Sequence, residues 1–187
     1  MFRRIALTAR SEIPGKEETL KHLVAMIERL GLEVCIDPVR CDLPILQHCK
    51  HFTELKGFDL IIILGGDGTT LRTVRELKDF RIPLLTVNRG TLGFLSEIDT
   101  EEIDTVLPFL LRGEGVIEER QMLRCNVIRG GKETLSGIAL NEVVVSQGAI
   151  ARIIELRVRL GSAPLTTIRS DGLIIATPVG STAHSLS

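Results

Sequence analysis

The feature that most constrains the fold is an apolar segment that runs directly into a glycine-rich turn. The segment Phe58–Leu64 ends in Leu-Ile-Ile-Ile-Leu and is followed by Gly65–Thr69, which reads Gly-Gly-Asp-Gly-Thr. After the turn, Leu71, Val74 and Leu77 recur with helical spacing. This pattern predicts a buried strand, a tight turn and a helix, the repeating unit of an α/β protein with a parallel sheet.

Similar patterns extend over the first half of the chain. Short apolar runs predict strands at Ile5–Ala9, Leu32–Ile36 and Pro83–Val87. A helix that ends at Gly31 is predicted between the first two strands. Its apolar face is formed by residues at i, i+3, i+4 and i+7 spacing, namely Leu20, Leu23, Val24, Ile27 and Leu30.

The pattern changes near residue 115. Before it, a last helix is predicted to open at a capping box of Asp99 and Glu102 and to close near Gly113. After it, apolar residues alternate with polar ones, which is typical of strands. The predicted strands are Met122–Arg129, Val143–Val145, Ile154–Leu160, Leu165–Ile168 and Leu173–Ala176. We therefore expect an α/β domain over residues 1–114 and an incomplete antiparallel all-β domain over residues 115–187.

Composition and charge exclude several classes of function. The chain has 187 residues, 44% of them hydrophobic, which is ample for a packed core. Its net charge of -1 argues against nucleic-acid and membrane partners, so local groups must bind any phosphate. The apolar runs Ile5–Ala9 and Leu60–Leu64 are too short for a signal peptide or a membrane span. We expect a cytoplasmic protein.

The cysteines do not predict a metal site. Cys35, Cys41, Cys49 and Cys125 form no C-x-x-C pair, and reduced thiols are expected in the absence of an export signal. The segment Cys41–His51 is rich in Cys and His, yet its spacing matches no zinc template. We interpret it as a polar connection and predict no metal ligands.

The glycine-rich turn is suited to binding phosphate. Glycines on both sides of Asp67 let the backbone turn sharply and approach a ligand, while the helix start offers N–H groups to phosphate oxygens. Asp67 would then lie at the carboxyl end of its strand, where open α/β sheets bind ligands. A plain tight turn in which Asp67 caps the helix is the alternative. The chain contains neither a G-x-x-x-x-G-K-S/T segment nor a G-x-G-x-x-G segment.

The Gly-Gly-Asp-Gly-Thr turn resembles the motif shared by NAD kinases, diacylglycerol and sphingosine kinases, and 6-phosphofructokinases. Further segments occur in the order typical of the NAD kinase family. They are Asn88, Gly90, Leu92–Leu95, Asn141-Glu142, Arg169–Gly172 and Thr177–Ser187. The chain therefore resembles an NAD kinase closely over roughly its last two-thirds.

The resemblance implies a reaction and a set of partners. Asp67 would act as general base on the 2′-hydroxyl of the adenosine ribose of NAD. That hydroxyl would attack the γ-phosphate of ATP, or polyphosphate, with Mg²⁺ or another divalent metal bridging the donor phosphates. A homodimer or homotetramer is implied, with a neighbouring subunit completing part of the NAD site.

The resemblance also implies the residues of the site. The phosphate-binding loop would comprise Gly65, Gly66, Gly68 and Thr69. The NAD-binding residues would be Asp67, Gly68, Arg72, Asn141, Glu142, Arg152, Arg169, Asp171, Thr182, Ala183, His184, Ser185, Leu186 and Ser187. Two positions depart from the family pattern, which usually has Thr at Val179 and Tyr at His184.

The sequence leaves two other functions open. A lipid kinase of the diacylglycerol type would share Gly65–Thr69 but would not explain Asn141-Glu142 or Thr177–Ser187. A non-catalytic NAD-binding fragment is the second alternative. Because NAD kinases continue beyond the Ser-Leu-Ser at the end of this sequence, we expect unpaired strand edges in the β region and weak activity from these 187 residues alone.

Overall fold

The structure is a computed structural model that describes residues 2–89, 93–148 and 153–183. The chain divides into two units, Met1–Glu118 and Glu119–Ser187. Within the described ranges, no helix is long and apolar enough to cross a membrane.

The first unit is built on a parallel sheet of six strands. In chain order the strands are β1 (Arg4–Ala9), β2 (Glu33–Ile36), β3 (Lys50–His51), β4 (Leu60–Leu64), β5 (Leu84–Asn88) and β6 (Ile98–Asp99). Their spatial order is β3-β2-β1-β4-β5-β6, and every pair is parallel. The helices are α1 (Lys16–Arg29), α2 (Asp67–Glu76) and α3 (Leu107–Leu111). The predicted α/β class with a parallel sheet is confirmed.

The core of this unit forms between the sheet and its helices. All five residues of β4 are buried, as expected of a parallel strand covered by helices. Helix α1 contributes the buried residues Leu20, Leu23, Val24, Met26 and Ile27. The prediction that Leu30 belongs to the same face was wrong, because α1 ends at Arg29 and the Leu30 side chain is 37% exposed. Gly31, with φ of 73°, turns the chain away from the helix.

The single helix predicted from Asp99 to Gly113 is divided in the structure. The capping box of Asp99 and Glu102 is present, but it opens only a 3₁₀ turn, Thr100–Glu102. The α-helical part is the short α3, which has Pro108 in its first turn. Proline lacks an N–H group and clashes with the preceding turn, so one continuous helix cannot run through this position.

The second unit consists of antiparallel strand pairs. Its strands are β7 (Leu123–Arg129), β8 (Lys132–Ala139), β9 (Glu142–Ser146), β10 (Ile154–Leu160), β11 (Ala163–Ser170) and β12 (Gly172–Ala176). They pair as β7 with β8, β9 with β12, and β10 with β11. Several apolar side chains of these strands are more than half exposed, among them Ile128, Leu135, Val144, Leu160 and Leu165.

A buried carboxylate joins β1 to the loop after β2. Asp37 accepts hydrogen bonds from the Thr8 hydroxyl (2.7 Å), the Val39 amide (2.9 Å) and the Arg40 guanidinium (2.8 Å). Arg40 also bonds to Glu76 on α2. Burial by itself would raise the pKa of Asp37, but the hydrogen bonds, led by that from Arg40, outweigh it and hold the pKa below its ordinary value.

We expect Asp37→Asn to destabilise the fold by about 1–3 kcal/mol at pH 7, because hydrogen bonds to a charged group are lost. A lowered pKa in the folded state stabilises the protein above the unfolded pKa, and this contribution is lost as pH falls through the folded pKa. The difference from wild type should therefore shrink below about pH 4. Urea denaturation at pH 7, 5, 4 and 3 measures this difference in the free energy of unfolding between wild type and Asp37→Asn.

The matched control is Asp42→Asn, which changes an exposed carboxylate five positions further along the same loop. It should alter the free energy of unfolding by less than about 0.5 kcal/mol at each pH. An Asp37→Asn difference that stays constant from pH 7 to pH 3 would contradict the account of this carboxylate.

Candidate active site

The sheet of the first unit reverses its strand order between β1 and β4. Chain order runs outward from β1 to β3 on one side and from β4 to β6 on the other. The Arg10 amide donates to the Leu64 carbonyl (2.9 Å), and the Gly65 amide donates to the Val87 carbonyl (2.9 Å). The carboxyl ends of three strands therefore meet at this point. In open parallel sheets, such a switch point is where ligands bind.

Asp67 lies at the switch point as the first residue of α2. Its half-buried carboxylate accepts two backbone hydrogen bonds, from the Phe94 amide to Oδ2 and from the Leu95 amide to Oδ1, both 3.0 Å long. The helix cap is Gly66, and no side-chain capping bond is present. Asp67 therefore does not cap the helix, the alternative left open by the sequence. It is held instead by the segment that follows β5.

Gly93 makes this arrangement possible. A Cβ atom at Gly93 would lie 2.1 Å from Asp67 Oδ1, well inside contact distance. Any other residue here would displace either the carboxylate or the backbone that holds it. On the other side of the turn, the buried side chain of Asn88 lies beside Gly66, 3.6 Å from where a Cβ would be. Because Gly93 and Gly66 have no side chains, Asp67 and Asn88 can lie close to the main chain on the two sides of the turn.

Arg72, one turn further along α2, is engaged with the protein. Its guanidinium donates to the Ala9 carbonyl at the end of β1 (3.0 Å), and its Nε lies 3.9 Å from Glu76 Oε1. Partial burial, with repulsion from Arg40, lowers its pKa below the ordinary value. The Nε atom is buried with no hydrogen-bond partner. Arg72 therefore borders the switch point, and its Nε donor has no hydrogen-bond partner among the described residues.

In the second unit, the turn after β12 packs against the start of β9. The Thr177 amide donates to the Asn141 carbonyl (2.8 Å), and the Thr177 hydroxyl donates to the Leu140 carbonyl (2.6 Å) while accepting from the Gly180 amide (3.0 Å). A Cβ at Gly180 would lie only 2.0 Å from the Asn141 carbonyl oxygen. The backbones of Asn141 and Gly180 are therefore in direct contact, and Thr182 follows within the same 3₁₀ turn.

This junction carries polar atoms without partners. Asn141 Oδ1 and Glu142 Oε2 are buried and have no hydrogen-bond partner among residues 2–89, 93–148 and 153–183. Such atoms are costly to bury and are usually satisfied by a ligand or water. The exposed Thr182 and the half-buried Ala183 lie in the adjoining turn. The structure therefore brings together four of the predicted binding residues, Asn141, Glu142, Thr182 and Ala183.

Of the two other predicted residues, Asp171 and Arg169, only Asp171 lies at the far end of the same strand pair. Glu142 pairs with Ala176, whereas Ser146 pairs with Gly172. The exposed Asp171 precedes Gly172, and its carbonyl accepts from the Gln147 amide (3.1 Å). At about 3.3 Å per residue, this end lies about 13 Å from Glu142. Arg169 is exposed near the end of β11. Asp171 is therefore separated from Asn141-Glu142 by the length of β9, and Arg169 belongs to a different strand pair, in which it lies opposite Glu155.

Several residues of the predicted site lie outside the described residues. They are Gly90, Leu92, Arg152, His184, Ser185, Leu186 and Ser187. Gly93 and Gly180 belong to the sequence pattern, but the pattern predicts no role for them. In the structure, the backbone of Gly93 lies against the Asp67 carboxylate and that of Gly180 against the Asn141 backbone. The sequence signal for these contacts was a glycine next to an apolar run, at Gly93, or next to a hydroxyl-rich run, at Gly180.

A glycine-rich turn, a helix start and a carboxylate at the switch point of a parallel sheet define an α/β protein of the open, parallel-sheet class, in which ligands bind at the carboxyl ends of the strands. Comparison with known sequences is more specific. The family model described as the ATP-NAD kinase N-terminal domain matches residues 12–115, and the ATP-NAD kinase C-terminal domain matches residues 140–187. The chain belongs to the ATP-NAD kinase family.

Individual relatives agree with this assignment. The chain is 41% identical over 188 residues to the NAD kinase of Syntrophotalea carbinolica and 36% identical over 192 residues to that of Paraburkholderia phymatum. All of this chain is covered in both comparisons, but only 66% and 63% of those relatives. The chain thus spans about two-thirds of the length of the curated relatives it matches.

Solved structures share the fold. Yeast NADH kinase in complex with NADH matches 99% of this chain and 60% of its own with a TM-score of 0.87, at 24% identity. An NAD kinase from Archaeoglobus fulgidus in complex with ATP matches 98% of this chain and 64% of its own with a TM-score of 0.69, at 25% identity.

Proposed function

We propose that this chain carries the catalytic part of an NAD kinase, which transfers a phosphoryl group to the 2′-hydroxyl of the adenosine ribose of NAD and so forms NADP. The observation that carries the proposal is the Asp67 carboxylate, which two backbone amides hold at the switch point of a sheet in a chain of this family. Transfer of a phosphoryl group depends mainly on positioning and electrostatics, so a rigidly held base is what the reaction requires.

In this proposal Asp67 removes the proton of the attacking hydroxyl. An ionised carboxylate has about four acceptor positions, of which the Phe94 and Leu95 amides use two. Lone pairs therefore remain to accept a hydrogen bond, and then the proton, from a ribose hydroxyl. The turn formed by Gly65, Gly66, Gly68 and Thr69 would bind the phosphate groups at the start of α2. Because the Gly65 and Thr69 amides already donate to the Val87 and Gly66 carbonyls, the backbone donors to phosphate would be the N–H groups of Gly66 and Gly68.

The remaining residues of the proposed NAD site belong mainly to the second unit. Asn141 and Glu142 have buried oxygens without partners, and these can accept hydrogen bonds from ribose hydroxyls or from an adenine amino group. Thr182 and Ala183 would contact the adenosine part of NAD. Further contacts are proposed for Gly68, Arg72, Arg152, Arg169, Asp171, His184, Ser185, Leu186 and Ser187.

We propose ATP as the phosphoryl donor, with polyphosphate as the alternative. The related kinase from Archaeoglobus fulgidus was solved with ATP, which supports this choice. A divalent metal such as Mg²⁺ would arrive with the donor phosphates. Both oxygens of Asp67 already accept backbone bonds, and among the described residues no group of three metal-ligating side chains includes it. We therefore derive no step through a protein-bound metal.

We also propose that the protein acts in the cytoplasm as a homodimer or homotetramer, with part of the NAD site completed by a neighbouring subunit. The exposed apolar side chains of the second unit support association, because monomers rarely leave large apolar areas in water. A lipid kinase is disfavoured by the match of residues 140–187 to the ATP-NAD kinase C-terminal domain.

We expect Asp67→Asn to lower turnover by about 10²–10⁴-fold, the range typical of a lost general base, while the dissociation constant for NAD changes only a few-fold. Asparagine has nearly the same size but cannot accept the proton. Steady-state kinetics of NADP formation and calorimetric NAD binding measure the two effects. Asp42→Asn, an exposed change, is the control. Turnover equal to wild type in Asp67→Asn would refute the role of this residue.

We expect Gly93→Ala to lower kcat by at least about tenfold, because a Cβ at this position displaces the carboxylate and small misplacements of catalytic groups are costly. The control is Gly137→Ala, since a Cβ at Gly137 would have nothing within 4 Å. If Gly93 acts through Asp67, the double variant with Asp67→Asn should be no slower than Asp67→Asn alone. Fully additive losses in kcat would contradict positioning through Asp67.

A further inference from the structure

We propose that Glu28, His48 and Cys49 form a binding site for a zinc-like divalent cation, separate from the phosphate-binding turn. The three side chains lie in the first unit and take no part in the proposed reaction. They are the only group of three metal-ligating side chains found within residues 2–89, 93–148 and 153–183. The inference does not depend on the proposed function.

Two of the three separations between the ligand atoms are those expected around one tetrahedral ion. His48 Nε2 lies 3.2 Å from Glu28 Oε1 and 3.6 Å from Cys49 Sγ, and all three atoms lie within 4.8 Å of one another. Zinc bonds of about 2.0–2.1 Å to nitrogen and oxygen and about 2.3 Å to sulfur give tetrahedral edges of about 3.3 Å for N···O and about 3.5 Å for N···S. Both observed separations agree with these edges.

Hydrogen bonds alone explain the spacing of the Glu28, His48 and Cys49 side chains less well than a shared ion does. One imidazole nitrogen faces both a carboxylate oxygen and a sulfur atom. A protonated Nε2 has a single hydrogen, which can point at Glu28 or at Cys49 but cannot align well with both. A cation between the three atoms would be bound by all of them at once. The spacing therefore favours a shared ion over a pair of separate contacts.

The set of donors selects the class of cation. A thiolate, an imidazole and a carboxylate together suit zinc and similar borderline-soft ions, whereas Mg²⁺ and Ca²⁺ prefer oxygen ligands. Cys49 is only 8% exposed, while the side chains of His48 and Glu28 are 56% and 45% exposed. The sulfur thus lies at the base of the cluster and the other ligands at its rim. Solvent has access for ion entry and for a water as fourth ligand.

Different parts of the fold supply the ligands. Glu28 is in the last turn of α1, and His48 and Cys49 directly precede β3 at the edge of the sheet. The other cysteines of the first unit have different contacts, since Cys41 Sγ donates to the Leu7 carbonyl and Cys35 Sγ lies 4.0 Å from Glu33 Oε1. A bound ion would link the end of α1 to the sheet edge.

The test uses the whole 187-residue chain, stripped of metal with a chelator and kept reduced. Co²⁺ is titrated as a spectroscopic substitute for zinc, and Zn²⁺ is then added to displace it. We expect one equivalent of Co²⁺ to produce a thiolate-to-cobalt charge-transfer band and the intense visible bands of tetrahedral cobalt. Zn²⁺ should remove both signals, and it should raise the thermal midpoint, because it binds the folded state.

Variants assign the signal to the three residues. Cys49→Ser should abolish the charge-transfer band, and Glu28→Gln and His48→Gln should each weaken Co²⁺ binding by about tenfold or more. The controls are Cys125→Ser in the second unit and His22→Gln on α1, which should bind as wild type does. Circular dichroism confirms that each variant is folded.

Two results would overturn the proposal. One is a wild-type chain that gives no charge-transfer band with Co²⁺. The other is a band that survives Cys49→Ser or disappears in Cys125→Ser, since the ion would then be bound by a different thiol.

Discussion

Two backbone hydrogen bonds to one carboxylate organise the proposed catalytic centre. They connect Asp67, at the start of α2, to the Phe94 and Leu95 amides in the segment after β5. The bonds require backbone and carboxylate to approach so closely that only glycine is accommodated at position 93. Because β4 and β5 are paired in the same sheet, the contact holds together the ends of neighbouring strands. The Asp67 carboxylate, the proposed base, is thus oriented by main-chain groups, which have less freedom than side chains.

In the second unit, too, hydrogen bonds to the main chain hold the residues of the candidate site in place. Thr177, which is 3% exposed, exchanges hydrogen bonds with Leu140, Asn141 and Gly180, and the backbone of Gly180 contacts Asn141 directly. These contacts fix the Asn141-Glu142 pair beside the turn that carries Thr182. The buried oxygens of Asn141 and Glu142 that lack partners are then available to a ligand. In both units a glycine allows a close approach to its main chain, by the Asp67 carboxylate at Gly93 and by the Asn141 backbone at Gly180.

The sequence was informative where local chemistry determines structure. The apolar strand before Gly65 and the alternating strands after residue 115 predicted both architectures correctly, because burial pattern and strand period are local properties. The prediction of one helix from Asp99 to Gly113 was wrong: the capping box of Asp99 and Glu102 forms, but the helix does not continue from it to Pro108, which lies in the first turn of the separate helix α3. Contacts distant in sequence could not be predicted at all. Neither the bonds from Phe94 and Leu95 to Asp67 nor the approach of Glu28 to His48 and Cys49 has a pattern in the sequence.

We propose that this chain phosphorylates NAD at one particular hydroxyl, the 2′-hydroxyl of the adenosine ribose. The most direct measurement incubates it with NAD, ATP and Mg²⁺, detects product by cycling with an NADP-specific dehydrogenase, and locates the new phosphate by phosphorus NMR. We expect NADP with its phosphate on the 2′-oxygen of the adenosine ribose, formed in step with ADP. NAD that binds without any turnover, or ATP consumed with no phosphate on that oxygen, would contradict it.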